Sequence, residues 1–157
     1  MPVTDFIAKA DYLYQIKTYK LDQITEATDS VLDSAEDEAI GQIIELLSGR
    51  YDVNTEFAKT GANRNKALLR WTKCLVMYYI YERIPDVMVP ERIIKNYDDT
   101  MELLNKISDG KMNTTLAQLT ESDTDGNTEP LTKNRWGSQP KRTQGDRPIN
   151  VNKFGTW

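Results

Sequence analysis

The residues that could do chemistry in this chain are few, and their spacing favours structural roles. Cys74 is the one cysteine and histidine is absent, so this thiol lacks the base that usually activates a cysteine nucleophile. Two carboxylate runs, Glu36-Asp37-Glu38 and Asp98-Asp99, could share acid–base work, but on amphipathic helices such runs more often face water. We therefore expect Cys74 to be a buried structural thiol and both runs to be solvated.

A possible metal ligand set lies at Asp123-Thr124-Asp125-Gly126-Asn127. Its glycine comes earlier than in an EF-hand loop, which has glycine at the sixth position and a closing glutamate. We interpret it as a solvated acidic turn. With no histidine and one cysteine, zinc sites built on those ligands and a disulfide within one chain are excluded. The sequence thus predicts no metal, no cofactor and no enzymatic activity.

Four aromatic residues lie close together in one apolar stretch. Their helical spacing favours burial in a core or at a subunit interface over a ligand pocket. Tyrosine also suits interfaces, because its ring buries area while its hydroxyl stays hydrogen-bonded. The subunit-interface candidates are Trp71, Tyr78, Tyr79 and Tyr81.

The last segment of the chain reverses the charge of the rest. Residues 131–157 have a net charge of +5, whereas residues 1–120 have −5 and residues 121–130 have −4. Arginine and aromatic side chains in a polar segment are the anchors that a docking peptide uses. A nucleic-acid contact or a disordered tail are the alternatives. The predicted partner-binding anchors are Arg135, Trp136, Lys141, Arg142, Phe154 and Trp157.

Three segments have the helical period that would position these residues. The first helix is predicted over about residues 31–51, with Ser34-Ala35-Glu36-Asp37 as its capping box. The second is predicted over about residues 64–83; it is apolar on most sides, which is typical of a central helix, and Pro85 ends it. The third is predicted to begin at Pro90 and to stop at Gly110.

The remaining stretches are shorter. Leu13 and Ile16 indicate one short helix, and Leu21 and Ile24 indicate another. Residues 52–63 have few apolar anchors and are interpreted as a loop. Residues 112–119 are expected to be a short extended segment against the body.

The length and composition of the chain indicate how large a core it can form. The chain has 157 residues, of which 39% are hydrophobic, and a net charge of −4, which fits one modest core. We predict an all-α protein: a bundle of about four helices over residues 1–119, with a long, largely extended tail over residues 120–157. No apolar run approaches a membrane span and no secretory signal is evident, so we expect no membrane contact and synthesis in a reducing cytoplasm.

The body resembles the head–tail connector, or head-completion adaptor, proteins of tailed bacteriophages, and is most similar to their short Mu-like branch. The resemblance covers about residues 9–119 and rests on the order of several stretches. It departs from the family in lacking Leu-Pro after Tyr51 and in having the tail over residues 120–157. The stretches that carry it are Leu46–Tyr51, Leu69–Trp71, Tyr79–Arg83, Pro90–Arg92, Asn96–Asp98 and Leu103–Lys111.

This resemblance implies a structural role in the virion. Such adaptors are small helical proteins without an active site that join as a ring, typically of about twelve copies. The ring lies beneath the portal protein, extends the DNA channel and offers a docking surface to the next neck or tail protein. Genomic DNA would pass through without specific binding, and an acidic wall would discourage tight binding to phosphate.

Two other functions are weighed against this role. A DNA-packaging or regulatory protein could bind nucleic acid through the basic tail, although the acidic body speaks against it. A small enzyme using carboxylates would need a concave site with shifted carboxylate pKa values, and no motif demands one. Within the structural class, a tail-completion or tail-terminator protein is the alternative, but such proteins usually carry more strand than this sequence predicts.

Overall fold

The computed structural model of this protein describes residues 6–85, 88–122 and 128–130. In chain order the elements are a 3-10 helix Lys9–Tyr14, α1 Thr18–Ile24, α2 Asp29–Leu47, α3 Val53–Phe57, a 3-10 turn Gly61–Asn63, α4 Lys66–Glu82, α5 Glu91–Ser108, β1 Thr120–Ser122 and β2 Thr128–Pro130.

The three long helices α2, α4 and α5 pack against one another and enclose the core. Helix α4 contacts both of the others. Its buried side chains point in several directions around its axis, as predicted from its apolar residues on most sides. The prediction of an all-α bundle is confirmed. In the described residues, four α-helices have seven or more residues, which matches the expected number.

The segment before α1 is held against α3 by packing, and against the start of α4 by polar contacts. The Phe6 ring meets Phe57 edge-on with centroids 4.8 Å apart. The Arg64 guanidinium donates to the Phe6 carbonyl at 2.7 Å and to the Asp11 carboxylate at 2.5 Å. Lys73 Nζ donates to the Asp11 carbonyl at 2.9 Å. These contacts make the N-terminal segment part of the folded body.

The predicted capping box of the first long helix was wrong. Helix α2 begins at Asp29, after the N-cap residue Thr28, so Ser34 lies inside the helix and caps nothing. The Ser34 hydroxyl donates to the Ser30 carbonyl at 2.8 Å instead. Leu32, two turns before Ile40, is also buried, so the apolar face of the helix extends to its first turn.

The interpretation of residues 52–63 as a loop was also wrong. Asp52 is the N-cap of α3, and its carboxylate accepts from the Thr55 amide at 3.2 Å. Val53 and Phe57, one helical turn apart, are both almost completely buried. The short helix therefore forms because it covers apolar surface contributed by residues distant in sequence.

Helix α5 ends just before Gly110, as the sequence predicted. Gly110 has φ +75°, its amide donates to Ile107, and the Lys111 amide donates to Lys106. This is the Schellman arrangement that closes a helix with a left-handed glycine. A β-carbon at position 110 would also collide with the Arg50 guanidinium. The positive φ is therefore the main reason for glycine at position 110, because the flexible Arg50 side chain could move aside.

The chain after α5 returns across the end of α2. Leu119 donates to the Arg50 carbonyl and Asp52 donates to the Ala117 carbonyl, both at 2.9 Å, so Tyr51 and Gln118 pair as an isolated bridge. The predicted extended segment against the body is confirmed for residues 117–119, whereas residues 112, 115 and 116 form bends. Residues 120–122 then pair antiparallel with residues 128–130, a small hairpin that the sequence analysis did not predict.

Candidate interaction surface

Three tyrosines from two helices form one partly exposed aromatic group, which we call the tyrosine cluster: Tyr78 and Tyr79 of α4 and Tyr97 of α5. The rings of Tyr78 and Tyr97 are stacked, with centroids 4.1 Å apart and planes 21° apart. Tyr79 meets both rings edge-on, at 6.1 Å and 6.2 Å. Since each of these side chains is only partly buried, the cluster presents aromatic surface to the exterior of the bundle.

Tyr79 also ties the cluster to the third long helix. Its hydroxyl donates to the Gln42 side-chain oxygen on α2. Burial, followed by the neighbouring Tyr97 and Glu38, raises the pKa of the Tyr79 hydroxyl well above its usual value. The phenol therefore stays neutral and keeps its donor role, which fixes its ring in the cluster.

Carboxylates from all three long helices are near enough to raise the pKa of Tyr78 or Tyr79, and we call them the acidic ring: Glu38 of α2, Glu82 of α4 and Asp98 of α5. All three are exposed. Glu82 is the main cause of a raised pKa at Tyr78, with burial, Tyr97 and Asp98 adding to it. In the described residues none of the three forms an ion pair with a lysine or arginine. The surface thus combines aromatic rings with carboxylates whose negative charge no lysine or arginine neutralises in the described residues.

The structure does not bring the four predicted interface residues together on one surface. Tyr78 and Tyr79 lie in the tyrosine cluster together with Tyr97, which was not among the predicted interface residues. Trp71 lies two turns before Tyr78 and packs partly against the core. Tyr81 instead lines a separate cleft. Tyr97 contacts the other two tyrosines from a different helix, and residue spacing along a single helix cannot reveal such a contact.

That cleft lies between the N-terminal segment, α4 and α5 and has a volume of about 50 Å³; its lining residues include Tyr81, Cys74, Gln15 and Arg92. Cys74 is buried, as predicted, and Gln15 Nε2 lies 3.7 Å from its sulfur. The Arg92 guanidinium reaches the Gln15 carbonyl at 3.4 Å. The polar groups of the cleft are therefore largely engaged with one another.

The carboxylates of the two runs differ in burial. Asp98, Asp99, Asp37 and Glu38 are exposed, as expected. Glu36 is not: it is buried, and the expectation that it faces water was wrong. Its carboxylate accepts from the Tyr12 hydroxyl at 2.7 Å, and burial, its largest influence, raises the pKa of Glu36 to about 7. The cause is the N-terminal segment, which covers this part of α2.

Several predicted features lie outside the described residues, including the acidic turn at Asp123–Asn127. The six predicted tail anchors do so as well: Arg135, Trp136, Lys141, Arg142, Phe154 and Trp157. Among the described residues, no group of three or more His, Cys, Asp or Glu side chains could hold a metal ion. In the same ranges, no helix has the length and apolar character needed to cross a membrane.

Comparison with known proteins identifies a relationship for most of the chain. The family model described as "Bacteriophage Mu, Gp36" matches residues 6–131. This range begins at the buried Phe6 and includes all the helices, the tyrosine cluster and the hairpin. No curated protein matches the chain.

Proposed function

Because this chain belongs to the bacteriophage Mu Gp36 family, we propose that it is a virion structural protein that forms a head–tail connector. In this proposal a ring of copies, about twelve in number, docks under the portal protein, extends the DNA channel and offers a surface to the next neck or tail protein. The protein would be made in the host cytoplasm and would end in the neck of the virion. Family membership itself establishes the coarser statement, that this is a phage protein.

The observation that carries this proposal is the tyrosine cluster with its acidic ring. Tyrosines that expose part of their rings on the outer face of a bundle are typical of surfaces that become covered on assembly. Here the cluster draws on α4 and α5 and is tied to α2, so it sits on the rigid part of the molecule. A rigid aromatic patch loses little conformational entropy on binding, which favours a role in a permanent assembly.

The charge distribution supports a channel-forming role. Residues 1–120 have a net charge of −5, and an acidic surface repels the phosphate backbone instead of holding it. DNA could therefore move through a ring of such bodies without stalling. We propose no catalytic activity for the protein, and the lack of any histidine for acid–base chemistry is in keeping with this.

The test is negative-stain imaging of the full-length protein mixed with purified portal of the same phage. We expect a ring of density on one face of the portal that is absent from portal alone. A portal that stays bare over a range of protein concentrations would contradict the adaptor role. DNA affinity that falls steeply with salt in that same preparation would then favour the nucleic-acid-binding alternative.

A further inference from the structure

The tyrosine cluster combines two features that select the same kind of ligand. Tyr78 and Tyr97 cover one face of each other by stacking, which leaves the outer face of each ring as the π surface that attracts a lysine or arginine side chain. The acidic ring adds negative charge from three helices, and in the described residues it forms no ion pair with a lysine or arginine. A peptide with basic and aromatic residues side by side would satisfy both features at once.

This chain contains such a peptide. Residues 131–157 include six basic residues and one acidic residue, and Trp136 directly follows Arg135. The body and this segment are opposite in charge, so they attract each other at long range and their contact is favoured on encounter. In the described residues the other aromatic pair, Phe6 with Phe57, is buried.

Residues 131–157 are long enough to reach a neighbouring molecule. The chain passes the start of α4, where the Asn65 side chain donates to Thr115 Oγ1 at 3.3 Å. Tyr78 is about 20 Å further along that helix, at roughly 1.5 Å per residue. At roughly 3.3 Å per residue, a fully extended segment of this length could span up to about 90 Å. Contact with a neighbouring molecule is therefore geometrically accessible.

We infer that the tyrosine cluster and its acidic ring form the docking site for the basic-aromatic segment 131–157 of a second copy of this chain. Each copy would then give its segment to one neighbour and receive the segment of another. Such a head-to-tail contact is the kind that closes into a ring. The choice of a second copy, and not the same copy, rests on the proposed connector function.

The test uses the full-length chain with Trp136→p-benzoylphenylalanine, a photo-cross-linking aromatic residue in the middle of the basic stretch. Light and isotopically heavy protein are mixed, assembled and irradiated, and cross-linked peptides are identified by mass spectrometry. We expect cross-links from position 136 to peptides that contain Tyr78, Tyr79 or Tyr97, and we expect them between heavy and light copies. Cross-links confined to copies of one isotope would overturn the inference, because the segment would then bind its own body.

A pair of charge variants makes the test specific. The triple variant Glu38→Gln, Glu82→Gln, Asp98→Asn should reduce the yield of these cross-links about fivefold or more, since several cation contacts weaken together. The matched control is Asp33→Asn, Asp37→Asn, Glu45→Gln, which removes the same charge from exposed positions of α2 outside the ring. Equal losses in both variants would mean general electrostatic attraction and no docking site.

The cross-linking test and the portal-imaging test can give different answers, so each proposal can fail without the other. If the portal acquires a ring but position 136 attaches elsewhere, the docking site is wrong and the connector role stands. If the expected cross-links form while the portal stays bare, the contact between copies is right and the connector role is wrong.

Discussion

The Glu36 carboxylate is buried on α2 and has one hydrogen-bond donor, the Tyr12 hydroxyl. Burial is the main reason that its pKa lies at about 7 instead of the usual 4.5, and the nearby Asp33 and Asp37 charges add to the shift. Because the folded pKa exceeds the unfolded one, the folded state binds the proton more tightly. This residue therefore lowers the free energy of unfolding as the pH rises from about 4.5 to about 7.

Replacing this carboxylate tests that assignment. We expect Glu36→Gln to raise the free energy of unfolding by about 1–3 kcal/mol at about pH 8, where it removes a buried charge, and to have little effect at about pH 5. The amide oxygen can still accept from Tyr12. Urea unfolding at the two pH values measures this, with Glu38→Gln as an exposed control. A gain of equal size at both pH values would contradict the titration.

Ala27 is held in an unfavourable backbone conformation. Its φ of 53° follows a φ of 55° at Glu26, and left-handed conformations are costly for residues with a β-carbon. We expect Ala27→Gly to stabilise the protein by about 1 kcal/mol, measured by thermal unfolding. Ala58 has φ −76°, so Ala58→Gly should instead be neutral or destabilising. Stabilisation by both variants would point to an effect of glycine unrelated to strain.

Helix α3 shows how an element of five residues is stabilised mainly by tertiary contacts. So short a helix has little stability alone. The Asp52 carboxylate accepts a hydrogen bond from one amide of the helix. The two buried apolar side chains, Val53 and Phe57, belong to the core that Phe6 and the long helices also form. The helix and the N-terminal segment thus stabilise each other.

Truncation of the central contact should be costly. We expect Phe57→Ala to lower the free energy of unfolding by about 3–5 kcal/mol, because it removes a buried ring, as measured by urea unfolding. Asn54→Ala, at an exposed position of the same helix, should change it by about 0.5 kcal/mol or less. A small effect of Phe57→Ala would mean that this stretch is a loop in solution.

The long helices could be predicted from sequence because their information is local. Ile40, Ile43 and Leu47 repeat at helical spacing and are buried together, and Pro85 and Gly110 mark ends correctly. Burial of Glu36 and Phe57 depends on residues far away in the chain, which no local period encodes. The same reason explains the candidate site: Tyr78 and Tyr79 were recognised on one helix, but their partner Tyr97 on another was not.

For the whole molecule, the tyrosine cluster should control assembly more than folding. We expect Tyr78→Ala to reduce ring formation on the portal about tenfold or more, as hot-spot truncations do, while the far-UV circular dichroism spectrum stays unchanged. Negative-stain counts of capped portals measure this. Tyr14 is 96% exposed and lies outside the cluster, so Tyr14→Ala should leave capping intact. If Tyr14→Ala has the same effect as Tyr78→Ala, the interface lies elsewhere.

The pairing of residues 117–119 with residues 50–52 has one more consequence. It fixes the point from which the rest of the chain departs, at the end of α2. A peptide tethered at a fixed point has an effective concentration near its binding site on the order of millimolar. A contact with only millimolar intrinsic affinity would then be occupied much of the time and would still exchange quickly. Repeated around a closed assembly, such contacts combine high avidity with the ability to correct a misplaced subunit.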